Sequence, residues 1–217
     1  MQRSVATVSV EEFLGGRECP LCGLQRETEA RFFASFFREM VMDGDCRAGL
    51  AREGLCPRHL RLIGEAHDKL GAALALQTLV ESAEAREGRS GCYACHRLGE
   101  ALRQYARIIA ELYLGGGEGR RAIEEGPAFC LPHTEILLAV EPPRFAGKKA
   151  EEFRSFCRAR RAKVLAGLSE DLAWFIRKFD YRMAEEPWRG AEDAVERAVA
   201  QLAGAPESEG PLGTKVP

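Results

Sequence analysis

Eight side chains in four short motifs carry the chemistry this sequence offers. Cys19 and Cys22 form a CxxC, Cys56 and His59 a CxxH, Cys92 and Cys95 a second CxxC, and Cys130 and His133 a second CxxH. Cys22 and Cys56 lie 34 residues apart, and Cys95 and Cys130 lie 35 apart. The second pair of motifs thus repeats the first in order and in spacing. Each copy supplies three thiols and one imidazole, a four-ligand set for zinc. Two ions are expected, one on Cys19, Cys22, Cys56 and His59, the other on Cys92, Cys95, Cys130 and His133. Exchange of ligands between the copies is chemically open as well. A complete set leaves no position for an activated water, so each site reads as structural rather than catalytic.

Such ligands need rigid elements to hold them. Residues three apart on a first helical turn face the same side, and Pro20 and Pro57 suit the first helical position. Apolar residues then recur at helical spacing, as Leu21, Leu24, Phe32, Phe36 and Met40, and again as Leu98, Leu102, Tyr105, Ile109 and Leu112. Asp43-Gly44-Asp45 ends the first stripe, and a short piece around 46–52 leads back to Cys56. Gly115 to Gly119 form the corresponding turn in the second copy. Each repeat is thus helix, tight return, helix. A stripe of Leu60, Ile63, His67, Leu70 and Leu74 continues one helix beyond Cys56, with His67 facing the core and 87–91 ending it.

Residues 147–183 form a long helical pattern, open to interruption near Gly167-Leu168-Ser169, and a short last helix covers about 190–202. Cys157 lies on the apolar stripe of the long helix and reads as a buried thiol. Cys46 falls in the first return, where spacing assigns it nothing. The expectation is an all-α fold in which two duplicated zinc-stapled hairpins pack with the C-terminal helices. One domain spans 1–203, from repeat one (about 10–88), repeat two (about 91–141) and the C-terminal helices (about 147–203). The Gly/Pro-rich stretch 204–217 reads as a disordered tail.

Composition narrows the function. A formal net charge of −2 with no dominant basic block speaks against nucleic acid as the main partner. No apolar run reaches the length of a membrane span and no secretory signal opens the chain, so a cytoplasmic address is expected. Thiols stay reduced there, which favours metal ligands over disulfides. Cys92-Tyr93-Ala94-Cys95-His96 also spells the haem-attachment pattern CxxCH. The repeat already accounts for both cysteines, and His96 reads as a surface or helix-packing residue. No Ser/His/Asp set, phosphate loop or HExxH is present.

The motifs Cys19–Cys22, Cys56–Leu60, Cys92–Cys95 and Cys130–His133, closed by Phe175–Arg182 and Glu186–Trp188, resemble an uncharacterised prokaryotic family of unknown function. Its members carry duplicated CPxC…CPxH motifs and a C-terminal FIRKxDYR…EPW segment. Here Tyr93 stands where the first copy has Pro20, and Pro132 falls one residue later than Pro57. The resemblance covers about residues 10–203 and implies no activity. The reading that follows is a non-catalytic zinc-binding helical protein engaging a protein or small-ligand partner. The alternative is a thiol-based redox or metal sensor, or an enzyme, using the CxxC pairs.

Overall fold

Proline at the first helical position loses no hydrogen bond, because that N–H has no partner inside the helix. Helices accordingly begin at Pro20 and Pro57 in a computed structural model that describes residues 5–86, 91–183 and 185–204. The described residues form ten α-helices and no strand: α1 Val5–Leu14, α2 Pro20–Arg38, α3 Gly44–Glu53, α4 Pro57–Glu65, α5 Lys69–Glu81, α6 Tyr93–Gly115, α7 Gly117–Glu125, α8 Leu131–Ala139, α9 Lys148–Arg177 and α10 Ala194–Ala203. The two copies share one order, a long helix (α2, α6), a short one (α3, α7) and a CxxH helix (α4, α8). Among the described residues no helix is long and apolar enough to cross a membrane. The tail expected beyond Gly204 and the stretch 87–90 lie outside the described residues.

The chain divides into two compact units, residues 25–101 and residues 1–24 with 102–206. Their boundaries fall inside α2 and α6, not between the copies.

In the 25–101 unit, Phe33, Phe36, Val41, Leu50 and Ile63 are fully buried and share a core with Phe37, Leu79 and Tyr93. Cys46 is buried there too. The return is more helical than its sequence suggests, because Asp43 caps α3 by accepting the N–H groups of Asp45 and Cys46 at 2.9 Å. The single helix expected beyond Cys56 is two. Asp68 accepts the Gly71 N–H at 2.9 Å and starts α5 afresh. The restart shifts the register, so His67 sits exposed in the break and Leu70 is 64% exposed. His67 is therefore not the core histidine its place in the stripe suggested.

In the other unit, Val10, Leu21, Leu24, Ile109, Ile123, Leu137 and Phe153 are fully buried. Cys157 joins them, as its place on the apolar stripe required. Gly23 admits the Phe13 ring; a Cβ there would lie 2.4 Å from Phe13 Cδ1. In the second return only Gly116, at φ 75°, separates α6 from α7. The long helix α9 runs through Gly167 without a break, since one glycine costs a helix only ~1 kcal/mol and no proline is present. It packs against α8 and α10. Arg160 on α9 donates to the carbonyls of Ile123 at 2.6 Å and Glu124 at 2.8 Å, tying down the chain ahead of Cys130.

Candidate metal centres

All four motifs are built alike. Cys19, Cys56, Cys92 and Cys130 each immediately precede a helix, and Cys22, His59, Cys95 and His133 are the third residues of α2, α4, α6 and α8. The first residue is still outside helical geometry, as Cys56 (φ −73°, ψ 161°) and Cys130 (φ −66°, ψ 165°) show. Two side chains three apart then converge on a point ahead of the helix. That point also faces the positive end of the helix dipole and its unpaired N–H groups, which suit thiolate ligands. The Cys95 N–H donates to Cys92 Sγ at 3.4 Å in this way.

The eight side chains gather into two groups, but not by copy. Cys19, Cys22, Cys130 and His133 form cluster 1, in the unit of residues 1–24 and 102–206. Cys56, His59, Cys92 and Cys95 form cluster 2, in the 25–101 unit. The within-copy pairing is thus overturned, and each CxxC meets the CxxH of the other copy. Helix lengths favour it. The long helix α2 has 19 residues and α3 only 10, while α6 has 23 and α7 only 9. Every helical residue advances the chain by the same small rise, so each return helix covers roughly half of its outward helix or less. The residues after the short helix then meet the other copy's CxxC, as the Tyr93 N–H bond to the Gly54 carbonyl shows.

Glycines let the new neighbours approach. The Tyr93 N–H donates to the Gly54 carbonyl at 2.9 Å, and a Cβ on Gly91 would lie 3.0 Å from the Glu53 carbonyl oxygen. In the other unit a Cβ on Gly126 would lie 2.7 Å from the Leu14 carbonyl oxygen. Either side chain would force apart the two segments that deliver the ligands.

Within each cluster the ligand atoms all lie within 4.8 Å of one another. Sulfur pairs stand at 3.7 Å (Cys22–Cys130) and 3.9 Å (Cys56–Cys95). Nδ1 of His133 is 3.5, 3.4 and 3.1 Å from the sulfurs of Cys19, Cys22 and Cys130. Nδ1 of His59 is 3.3, 3.1 and 3.4 Å from those of Cys56, Cys92 and Cys95. A tetrahedral zinc with sulfur at ~2.3 Å requires sulfur pairs ~3.8 Å apart and sulfur to nitrogen ~3.6 Å. The separations are close to those edges and far beyond a disulfide of ~2.05 Å. All eight cysteines are free.

Proton balance points the same way. Hydrogen bonds from Cys130 and Cys22, with burial, push the Cys19 thiol far above the ordinary range, because three sulfurs this close cannot all ionise unaided. Burial opposes charge on His133, yet its hydrogen bonds to Cys130 and Cys22 raise it to about 9. In cluster 2 burial likewise opposes charge on His59, and hydrogen bonds to Cys92 and Glu29 outweigh it, giving about 10. Burial raises Cys92, but the His59 bond brings it down to about 6, while burial and the neighbouring Cys92 push Cys95 up to about 12. Each centre favours one positive charge among its sulfurs, the place a cation would take.

Two contacts that spacing alone did not reveal complete the centres. His59 Nε2 stands 3.0 Å from Glu29 Oε1 and donates to it, which leaves Nδ1 as the nitrogen turned to the sulfurs. Arg58 grips the same carboxylate with two nitrogens, one at 2.6 Å. Burial would raise the Glu29 carboxyl, but the bonds from His59 and Arg58 outweigh it and hold it at about 2. The available signal was a buried-face acid on α2, four residues before Phe33. In the other unit Gln201 donates to the Phe129 carbonyl at 2.9 Å, and a Cβ on Gly204 would lie 3.4 Å from Cys22 Sγ and 3.6 Å from Cys130 Sγ. The end of α10 thus covers cluster 1. His96 stays at the surface, 3.1 Å from Glu53, and takes no part in either cluster.

No solved structure matches the chain. It is 23% identical over 141 residues to an "Uncharacterized 23.9 kDa protein in xynA 3'region" from Caldicellulosiruptor sp. (strain Rt8B.4), a match covering 59% of this chain and 69% of that protein. The pattern of a family of unknown function, DUF6062, matches twice, over residues 1–87 and 81–209, and the chain belongs to that family.

Proposed function

We propose that each cluster binds one zinc ion and that the protein is a non-catalytic helical module whose folded surface engages a protein or small-ligand partner. Four donors gathered within 4.8 Å of one another carry the reading, because a full Cys3His set leaves no open position for a reacting water. Three sulfurs with one imidazole favour zinc over magnesium or calcium, which prefer oxygen. Thiolate ligation of this kind fits a reducing, cytoplasmic setting.

Two surface features of the unit that holds cluster 1 support the partner. The C-terminal corner is fixed by Trp174 Nε1 donating to the Pro187 carbonyl at 3.1 Å and by Arg189 stacked 3.9 Å from the Trp174 ring. It still leaves Phe179 78% and Tyr181 87% exposed. A cleft of about 760 Å³ beside Cys19 and Cys130 also opens between α9 and α10, with Lys163 and Arg17 on its walls.

Cobalt substitution tests the zinc reading. Tetrahedral thiolate spectra indifferent to cyanide or azide are expected from both centres. A spectrum that shifts at low anion concentration would reveal an open position and sink the structural assignment.

A further inference from the structure

The two clusters hold the same donors but differ in access. Cys19, Cys22, Cys130 and His133 are all buried. In cluster 2 His59 is buried and Cys56 and Cys92 are half-buried, while Cys95 is exposed. A zinc-bound thiolate keeps lone pairs and remains a nucleophile, so its reactivity toward a small electrophile follows its reach to solvent.

We propose that Cys95 is a site of oxidative modification, at which a hydroperoxide converts cluster 2 from its zinc-bound form to a disulfide; this rests on the zinc reading above. The Cys95 sulfur attacks the terminal oxygen of the hydroperoxide. A sulfur–oxygen bond forms as the oxygen–oxygen bond breaks, giving the sulfenic acid and, from hydrogen peroxide, hydroxide. A second thiolate then attacks the Cys95 sulfur and expels a second hydroxide. The sulfur pair loses two electrons and the peroxide gains them. Cys56 is placed for the second attack, its sulfur 3.9 Å from that of Cys95, and Cys92 on the same helical turn is the other candidate.

With two of its donors joined in a disulfide, cluster 2 would offer a zinc ion only one thiolate and His59, half the set needed to hold it. Because the oxidised ligands are confined to this cluster, cluster 1 keeps its ion.

The test uses the full, reduced, zinc-loaded chain. Native mass spectrometry first counts the ions; fewer than two would overturn the zinc reading itself, before oxidation is tried. With two ions present, hydrogen peroxide should release one about tenfold faster than the other. Peptide mapping at that point should find Cys95 in a disulfide with Cys56 or Cys92, reversed by a dithiol reductant with added zinc. Simultaneous loss of both ions would overturn the proposal. So would first oxidation at Cys19, Cys22 or Cys130, or a Cys95 carried to the sulfonic acid with no disulfide.

Discussion

Clusters 1 and 2 are near copies in ligand type, helix position and imidazole atom, yet their surroundings diverge. Cluster 1 is buried in its unit, beside the cleft that Cys19 and Cys130 line and under the last turn of α10, with Gln201 and Thr134 both holding the Phe129 carbonyl beside it. Cluster 2 is held from one side by the Glu29–Arg58 pair and opens to solvent at Cys95. One ligand set can therefore serve as a core or as a surface centre, and what decides is the protein packed against it. With zinc bound as proposed, losing the ion of the buried cluster would expose core, whereas the surface cluster could exchange or react while its unit stays folded.

The largest effects should separate the two. Cys130→Ser is expected to release one ion and destabilise its unit by more than about 4 kcal/mol, since it leaves two thiols and an imidazole buried without their cation. Cys95→Ser should release the other ion at about half that cost, because the residues it uncovers are already partly wet. Denaturant unfolding of both variants, with metal content measured on the same samples, gives the comparison directly. Equal costs would mean that exposure at Cys95 is no guide to what cluster 2 holds together.

Much of this was readable in advance, for reasons that also mark the limit. Ligand identity follows from residue type and spacing, since a CxxC or CxxH at a helix start presents two donors to one point whatever the rest of the chain does. Pairing is a different matter. It depends on how far α2 and α6 outrun α3 and α7, hence on helix ends set by small details such as the Asp43 cap. The break before α5 was hidden in the same way, because the stripe through His67 and Leu70 fits one continuous helix until Asp68 is seen to cap another. Glu29 was legible only as an oddity on an apolar face; its meaning needs His59 and Arg58, 30 and 29 residues away.

Glu29 provides the next sharpening of the contrast. Glu29→Gln keeps the shape but removes the charge that balances Arg58 and strengthens the His59 Nε2–H bond. Loss of such an outer partner lowers metal affinity by about 10- to 100-fold. Competition with a chromophoric chelator should show that loss at cluster 2 and none at cluster 1, whose ligands lie in the other unit. A uniform weakening of both ions would show that the two centres are coupled rather than independent.

The smallest effect tests the cover over cluster 1. Gly204 ends α10 at φ 89° and ψ 169°, a region open essentially to glycine alone. Its neighbours are the sulfurs of Cys22 and Cys130, which a Cβ would meet at 3.4 and 3.6 Å, ordinary contact rather than collision. Gly204→Ala is therefore strained by its backbone, at a cost of about 1–3 kcal/mol. The same substitution at Gly116 is the control, for its φ of 75° and ψ of −162° fall in the same region with nothing within 4 Å of a Cβ. Both variants should lose similar stability. Only Gly204→Ala should disturb the cobalt–thiolate bands of cluster 1, because only there does the relaxing backbone lie against the ligands. If the Gly116 variant moves those bands as much, the end of α10 is an ordinary helix terminus and burial of cluster 1 owes nothing to it.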